Sequence, residues 1–326
     1  MLLVTGGAGF IGSNVVAALN DAGRADVVVS DLLGRDGKWR NLAKRQIADF
    51  VPPAELMAWL GGRKLDAVIH LGANSSTTAT DGDAVIETNF RVSLRLLDWC
   101  TAHATPLIYA SSAATYGDGA QGFSDDPSLE ALKTLRPMNL YGWSKHLFDL
   151  VVAERIAHGE KLPPQCVGLK FFNVFGPNEY HKGTMASVLA RRFDDIKAGR
   201  PVQLFKSHHE GIADGDQRRD FIYVDDVARV MMWLLATPTV SGLFNVGTGK
   251  ARSFKDLILS AYAALGTRPN IQYIDMPEQI RGSYQYFTQS EVDRLRSAGY
   301  NGGFTVLEDA VARYVRNFLD AADRFR

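Results

Sequence analysis

Tyr141 and Lys145 are the residues whose types and spacing point most directly to chemistry. They lie four positions apart in the run NLYGWSK, so on a helix they share one face. A neighbouring ammonium favours the phenolate by charge attraction, and we expect Lys145 to lower the pKa of Tyr141. A tyrosine base beside a hydride acceptor can take the proton of an alcohol while a hydride leaves the same carbon. The spacing alone is weak evidence, because most such pairs are ordinary helix-surface residues.

The rest of the chain must supply a frame that positions this pair. Strand and helix patterns alternate through the first half of the sequence, and the predicted strands are apolar and rich in β-branched residues. The strands are predicted at 1–5, 27–31, 47–50, 67–71, 106–110 and 167–172, and the helices at 10–21, 54–60, 89–103 and 141–158. This alternation predicts an α/β fold with a Rossmann-like doubly wound parallel sheet. The rhythm breaks near residue 173, where we expect a smaller α/β substrate-binding domain to begin. Two later strands are predicted at 221–224 and 243–246.

A glycine-rich loop joins the first predicted strand to the first predicted helix. Gly7, Gly9 and Gly12 satisfy the pattern G-x-G-x-x-G, and Gly6 adds a second register. The missing side chains permit a tight turn and let backbone N–H groups approach a pyrophosphate at the helix N-terminus. Because the loop opens a βαβ unit, it predicts a dinucleotide-binding site.

The residues after the second predicted strand bear on which dinucleotide binds. Asp31 lies near the position where an acid takes the ribose hydroxyls and rejects a 2′-phosphate, which favours NAD. Arg35, Lys38 and Arg40 follow closely and could pair with a phosphate, which favours NADP. The residues alone leave both cofactors open.

Composition narrows the class of protein. The chain has 326 residues, of which 46% are hydrophobic, and its 36 basic residues balance 36 acidic ones. Zero net charge gives no electrostatic reason to expect nucleic acid or an anionic membrane as a partner. Cys100 and Cys166 are interpreted as buried free thiols, and no residue spacing indicates a metal site. No secretory signal pattern is visible, so we expect a cytoplasmic protein.

Ser112 follows the fifth predicted strand, at the edge where open parallel sheets bind ligands. Its hydroxyl could therefore hold a substrate alcohol. The order of glycine loop, Ser112, Tyr141 and Lys145 resembles the extended short-chain dehydrogenase/reductase superfamily. The resemblance implies that Tyr141 is the acid/base, that Lys145 holds the nicotinamide ribose, and that Ser112 orients the substrate.

Later segments resemble the nucleotide-sugar branch of that superfamily, namely FFNVFGP at 171–177 and RDFIYVDDVA at 219–228. Three more segments resemble the ADP-glyceromanno-heptose 6-epimerase family: ANSSTT at 73–78, EYHKGTMAS at 179–187 and YQYFTQ at 284–289. The resemblance covers nearly the whole chain and implies that Lys182 is a second catalytic base. Without it, Lys182 reads as an exposed loop lysine.

The resemblance also implies the remaining site residues. The expected cofactor contacts are Gly6, Gly9, Phe10, Ile11, Gly12, Asp31, Leu32, Lys38, Leu71, Gly72, Ala73, Asn74, Ser75, Thr88, Lys145, Val174 and Lys182. The expected substrate contacts are Ser112, Asn173, Thr184, Arg191, Phe205, Arg219 and Tyr284. Arg191 departs from the family pattern, which often has His there, and the loop at 207–217 is longer than usual. Because family enzymes prefer NADP, we expect NADP with Lys38 as its phosphate partner, and keep NAD as the other possibility.

The predicted function follows from these assignments. We expect inversion of C6″ of ADP-D-glycero-D-manno-heptose, by transient oxidation to a ketone and return of the hydride, to supply the L-glycero epimer for lipopolysaccharide core synthesis. The alternatives are a UDP-sugar 4-epimerase and, from another class, a non-catalytic NADP-binding sensor or scaffold protein. The predicted dinucleotide-binding domain spans 1–172, with 219–248 returning to it, and a nucleotide-sugar-binding domain spans 173–218 and 249–326. The family further implies a homo-oligomer, a pentamer.

Overall fold

A seven-stranded parallel sheet forms the centre of the protein. The structure is a computed structural model that describes residues 1–281 and 284–326. Its central strands are β1 (Leu2–Thr5), β2 (Val27–Ser30), β3 (Asp49–Val51), β4 (Ala67–His70), β5 (Leu107–Ser112), β6 (Cys166–Phe171) and β10 (Gly242–Val246). They lie in the order β10-β6-β5-β4-β1-β2-β3, and every neighbouring pair is parallel. The predicted doubly wound α/β sheet is therefore confirmed.

The strand order places a crevice at the carboxyl end of β1. The chain leaves β1 towards β2 and β3 on one side, and then returns to β4 on the other side. Connections that diverge in this way leave an opening above the strand ends, where open α/β sheets bind their ligands. The residues that follow β1, β2, β4, β5 and β6 all reach this edge.

Helices cover both faces of the sheet because its strands are apolar on both sides. The helices are α1 (Phe10–Asp21), α2 (Leu56–Trp59), α3 (Gly82–Ile86), α4 (Val92–Ala102), α5 (Leu129–Thr134), α6 (Leu140–Ala157), α7 (Val188–Lys197), α8 (Val224–Ala236), α9 (Phe254–Leu265), α10 (Glu278–Arg281), α11 (Asp293–Ser297) and α12 (Leu307–Tyr314). On one face, Val16 of α1 and Val230 of α8 share a buried core with the strands. On the other, Leu97 of α4 and Phe148 of α6 do so.

The helix predicted at 89–103 differs from the structure. A widened, π-helical turn occupies Glu87–Arg91, and the regular helix α4 begins only at Val92. Asn89 lies inside this turn and is fully buried. A periodic apolar pattern does not distinguish one extra residue in a turn, which is why the sequence predicted a single helix.

The second half of the chain adds two small sheets and its own core. Strands β7 (Asn173–Phe175), β9 (Arg218–Tyr223) and β11 (Ala251–Ser253) form one sheet, and β8 (Val202–Phe205) pairs with β12 (Ile271–Ile274). The strand predicted at 221–224 is thus β9, and it lies outside the central sheet, whereas the one predicted at 243–246 is β10. Phe193, Tyr262 and Tyr314 lie in a second buried cluster beside these sheets. Within the described ranges, no helix is both long and apolar enough to cross a membrane.

Candidate active site

A cavity of about 440 Å³ lies above the carboxyl ends of the central strands. It brings together the glycine loop, the end of β5, the start of α6 and the segment that carries Lys182. Of the predicted site residues, those that line it are Gly6, Gly9, Phe10, Ile11, Gly12, Asp31, Lys38, Leu71, Gly72, Ala73, Ser75, Ser112, Tyr141, Lys145, Asn173, Val174 and Lys182. Residues far apart in the sequence therefore line one cavity.

The glycine loop leaves no room for side chains. Gly6 has a φ of +66°, and a Cβ atom there would lie 2.6 Å from the Gly72 backbone nitrogen. A Cβ atom on Gly12 would lie 2.1 Å from the Gly6 carbonyl oxygen. Helix α1 begins at Phe10 with no side-chain cap, so its first N–H groups are left for an anion. The loop fits the pyrophosphate of a dinucleotide.

Asp31 ties the glycine loop to the end of β2. Its Oδ2 atom accepts a hydrogen bond from the Ala8 N–H at 2.9 Å, and its Oδ1 atom lies 2.6 Å from the Lys38 ammonium nitrogen. Lys38 begins a short 3-10 turn, Lys38–Leu42, beside the cavity. The negative charge that would meet a ribose is thus already paired with a lysine.

Three predicted cofactor residues do not line the cavity. Leu32 is 69% exposed, and Thr88 lies on the surface of the widened turn. Asn74 does not line the cavity either, and its backbone N–H donates to the Asn89 side-chain oxygen at 2.8 Å. Asn74 is thus bonded to that turn, whereas its neighbours Ala73 and Ser75 line the cavity.

Helix α6 presents Tyr141 and Lys145 to the cavity from its first two turns. The Asn139 side chain caps the helix by accepting from the Gly142 N–H at 2.8 Å. A Cβ atom on Gly142 would lie 2.7 Å from the Ala114 carbonyl oxygen, so the helix start approaches the loop after Ser112 as closely as glycine allows. The sequence singled out the helix pair but not this glycine contact.

The expected lowering of the Tyr141 pKa is wrong for the chain by itself. Burial raises the pKa of Tyr141, and a hydrogen bond with Ser112 opposes the shift only in part. Burial also lowers the pKa of Lys145 to about 8, against the opposing charge of Asp149. Both groups are therefore driven towards their neutral forms, because a buried charge loses its hydration.

Buried polar side chains join α6 to β5 and β6. The sequence did not predict them. Asp149, one turn after Lys145, accepts a hydrogen bond from the Ser111 hydroxyl at 2.6 Å. Lys170 of β6 lies 3.5 Å from the same carboxylate and donates to the Thr115 hydroxyl at 2.7 Å. The Asp149 and Lys170 side chains are both fully buried. A buried charge needs a partner. The sequence signal that could have predicted this pair is one acid, Asp149, on the apolar side of α6 and one lysine, Lys170, within the apolar strand β6.

A second buried chain of hydrogen bonds runs behind α6. The Asn89 side-chain amide donates to the Asn74 carbonyl at 3.0 Å and to the Ser144 hydroxyl at 2.9 Å. His70 is buried at the end of β4. Its ring nitrogens lie 2.6 Å from the Thr5 hydroxyl and 2.8 Å from the Ser93 hydroxyl, and burial lowers its pKa to about 3.

Lys182 reaches the cavity from an irregular segment. It lies in the short helical stretch Tyr180–Met185, which is interrupted by Gly183 at a φ of +54°. Its ammonium nitrogen is 5.2 Å from the centre of the Phe10 ring, and burial lowers its pKa, opposed by the charge of Glu179. Lys182 and Tyr141 therefore line one cavity from different elements. We call α6 the helix wall and the stretch Tyr180–Met185 the loop wall.

Glu179 anchors both ends of this segment. The buried carboxylate accepts hydrogen bonds from the Ser187 N–H at 2.6 Å, from the Ser187 hydroxyl at 2.7 Å and from the Tyr314 hydroxyl at 3.1 Å. It also accepts from the Gly176 N–H at 3.3 Å. Nothing in the sequence motif EYHKGTMAS at 179–187 indicates this role for Glu179.

Three of the seven predicted substrate residues, Arg219, Tyr284 and Phe205, form a group beside the cavity. The Arg219 guanidinium lies 5.2 Å from the Tyr284 ring centre and 5.6 Å from that of Phe254, and Phe254 lines the cavity. Phe205 packs edge-on against Tyr284 at 6.4 Å. Thr184 and Arg191 do not line the cavity either, so of the substrate set only Ser112 and Asn173 do. The described residues hold no group of three or more His, Cys, Asp or Glu side chains able to share a metal ion.

Comparison with known proteins decides the family. The sequence profile of the NAD dependent epimerase/dehydratase family matches residues 2–247. The chain belongs to this family. A protein of Nitratidesulfovibrio vulgaris named ADP-L-glycero-D-manno-heptose-6-epimerase is 49% identical over 329 residues and covers 100% of both chains. One of the same name from Fusobacterium nucleatum is 43% identical, also over 100% of both.

Solved structures of epimerases have the same fold as this family member. The ADP-L-glycero-D-manno-heptose-6-epimerase of Helicobacter pylori superimposes with a TM-score of 0.80 at 28% identity, covering 98% of this chain and 96% of that one. The UDP-glucose 4-epimerase of Thermus thermophilus, in complex with NAD, gives 0.77 at 26% identity, covering 98% and 99%. The resemblance seen in the sequence motifs is thereby confirmed.

Proposed function

We propose that this epimerase-family chain inverts C6″ of ADP-D-glycero-D-manno-heptose to give ADP-L-glycero-D-manno-heptose, a precursor of the lipopolysaccharide core. The observation that carries the proposal is the placement of Tyr141 and Lys182 at two walls of the cavity that the glycine loop opens. The shared name of full-length relatives at 43–49% identity supports the substrate.

Inversion at an alcohol carbon requires that its C–H bond be broken and remade on the opposite face. A nicotinamide dinucleotide bound at the glycine loop would accept a hydride from C6″ and return it. The two epimers point their hydroxyl protons in different directions, so two proton-transfer groups suit the two half-reactions. Tyr141, held beside Ser112, serves one of them and Lys182 serves the other. Burial raises the pKa of Tyr141 and lowers that of Lys182. These shifts favour an amine at Lys182, which can take the proton of the alcohol, and a phenol at Tyr141, which can give a proton to the ketone oxygen when the hydride returns; the opposite conversion uses the ammonium and the phenolate.

The cofactor is proposed to be NADP. The Lys38 ammonium beside Asp31 supports this choice, because it pairs the acid that would otherwise repel a 2′-phosphate. The solved relatives in complex with NAD support the alternative. Because no net redox occurs, the dinucleotide should stay bound through purification. Denatured protein should release one dinucleotide for each chain, and an enzymatic cycling assay would identify it; release of NAD alone would contradict NADP.

The assembly and location of the protein complete the proposal. We place a dinucleotide-binding domain at 1–172, with 219–248 returning to it, and a sugar-binding domain at 173–218 and 249–326. A cytoplasmic location is supported by Cys100 and Cys166, which are free and buried, because a reducing compartment keeps thiols unpaired. A pentamer is supported by the family resemblance, and light scattering of the purified protein would measure it.

The test of the function compares two substrates and follows one atom. ADP-D-glycero-D-manno-heptose should be converted to its epimer in deuterium oxide with no deuterium at C6″, because the hydride returns from the cofactor. UDP-galactose should not be converted. Conversion of UDP-galactose alone would identify a UDP-sugar 4-epimerase, and binding of the dinucleotide with no conversion of either would identify a sensor or scaffold. Deuterium at C6″ would contradict the hydride mechanism.

A further inference from the structure

The last three residues, Arg324–Arg326, lie against the segment that carries Lys182. They have no regular secondary structure, yet all three are partly buried, whereas Ala322 and Asp323 before them are exposed. The Tyr180 hydroxyl donates to the Arg324 carbonyl at 2.7 Å, and the Phe325 ring packs edge-on against the Tyr180 ring at 5.4 Å. Tyr180 precedes Lys182 by two residues.

Asn178 makes the strongest case for this contact. It is a buried non-glycine residue with a φ of +72°, a conformation that persists only where bonds hold it. Its side-chain oxygen accepts from the Arg326 N–H at 3.0 Å, and its side-chain nitrogen donates to the Ser13 hydroxyl at 3.0 Å. Without Arg326, a buried acceptor loses its partner just where the chain turns towards Lys182.

The same three residues hold the cofactor side of the cavity. The Arg326 guanidinium bonds the Asn14 side chain of α1 at 3.4 Å and pairs with Asp225 of α8. The Lys44 ammonium, just after the turn that begins at Lys38, donates to the Phe325 carbonyl at 2.6 Å. One short segment thus contacts the glycine-loop helix, Lys44 just after the Lys38 turn, and the Lys182 segment.

We propose that Arg324–Arg326 is a positioning strap that fixes the Lys182 segment against the glycine-loop helix. The inference rests on the catalytic role proposed for Lys182. Tyr141 needs no such strap, because it belongs to a long capped helix. Loss of the strap should therefore loosen residues 178–187 while leaving 140–157 unchanged.

The experiment measures hydrogen exchange and epimerisation in three variants of the full protein. Two remove the strap, by deletion of 324–326 or by Phe325→Ala in case the deletion fails to fold. The control, Lys197→Met, breaks an exposed ion pair with Asp320, four residues before the strap, which involves no residue of the Lys182 segment. Both strap variants should exchange amides at 178–187 about tenfold faster or more and lose up to about 10²-fold in kcat, since small displacements of a reacting group are costly. The control should change neither.

The outcomes separate the strap from the function. Unchanged exchange at 178–187 in both strap variants would overturn the proposal. Equally faster exchange at 140–157 would also overturn it, because the tail would then stabilise the whole fold. Faster exchange confined to 178–187 with full epimerase activity would support the strap and contradict the catalytic role of Lys182.

Discussion

The walls that carry Tyr141 and Lys182 are built in different ways. Tyr141 stands on an 18-residue helix whose buried side is fixed by charged and polar groups such as Asp149. Lys182 stands on a six-residue stretch in which Gly183 and Thr184 are exposed. This stretch is held by the bond of Glu179 to Ser187 across its two ends and by the bond of Arg326 to Asn178 at its start. Regular structure positions one group, and individual side-chain bonds position the other. Substitutions behind Tyr141 should therefore cost stability first, and those around Lys182 should cost activity first.

The largest effect is expected from removing either proton-transfer group. Tyr141→Phe and Lys182→Met should each slow epimerisation by about 10²–10⁴-fold, the usual contribution of acid–base catalysis. Initial rates measured with each epimer in turn would show which half-reaction each group serves. If either variant converts both epimers at near-native rates, that wall supplies no proton-transfer group and the two-base proposal fails.

Next in size is the loss of the buried charge pair behind Tyr141. Asp149→Asn leaves the Lys170 ammonium buried without an opposite charge, which should lower the free energy of unfolding by about 3–5 kcal/mol. Asp98→Asn is the matched control, because Asp98 pairs with Arg155 at the surface, where a bridge is worth about 1 kcal/mol or less. Urea unfolding measures both. Equal losses in the two variants would show that the helix wall does not depend on its buried pair.

At the loop wall, Glu179→Gln should cost less stability and more activity than Asp149→Asn costs at the helix wall. The amide keeps the shape of the side chain but points a donor at a site where the carboxylate accepts from Ser187. We expect a loss of about 1–3 kcal/mol in unfolding free energy, and a fall in kcat that exceeds that of Asp149→Asn. Tyr314→Phe, which removes one hydroxyl donor at 3.1 Å from the same carboxylate, is the control and should cost about 1 kcal/mol. If Asp149→Asn lowers kcat more than Glu179→Gln, the comparison is reversed.

The smallest effect is a pH dependence behind the helix wall. Burial lowers the pKa of His70 to about 3 from an ordinary 6.5, so the unfolded chain binds a proton there that the folded chain does not. The free energy of unfolding should therefore fall as pH drops below about 6.5, with a slope of up to about 1.4 kcal/mol per pH unit from this group. Unfolding of the native protein and of His70→Gln between about pH 6 and pH 4 would isolate the slope. Parallel curves would mean that His70 is not held neutral.

Local signals were enough to predict the frame and one wall of the site. The glycine loop, the strand at Leu2–Thr5 and the spacing of Tyr141 and Lys145 each lie within a few residues, and the structure places them as expected. Lys182 was singled out only through its resemblance to a family, because an irregular segment has no periodicity to read.

The supporting residues could not be predicted because their partners are distant in sequence. Asp149 meets Lys170 and Ser111 across 21 and 38 positions, and Asn178 meets Arg326 across 148. The short strands of the second half, of three or four residues, carry too few alternations to show a period. The Tyr141 pKa was predicted with the wrong sign because charge attraction was weighed without burial, which the sequence does not report.

The widened turn at Glu87–Arg91 acts as a tolerated insertion. A π-helical turn holds one residue more than the helix needs, so the apolar faces of α3 before it and α4 after it keep their orientation whether or not that residue is present. A chain lacking the exposed Thr88 could therefore keep Val85 and Leu96 in the core. It would turn Asn89 away from Asn74 and Ser144. The extra residue thus turns Asn89 inward to make these bonds, and we expect its deletion to leave the hydrophobic core unchanged.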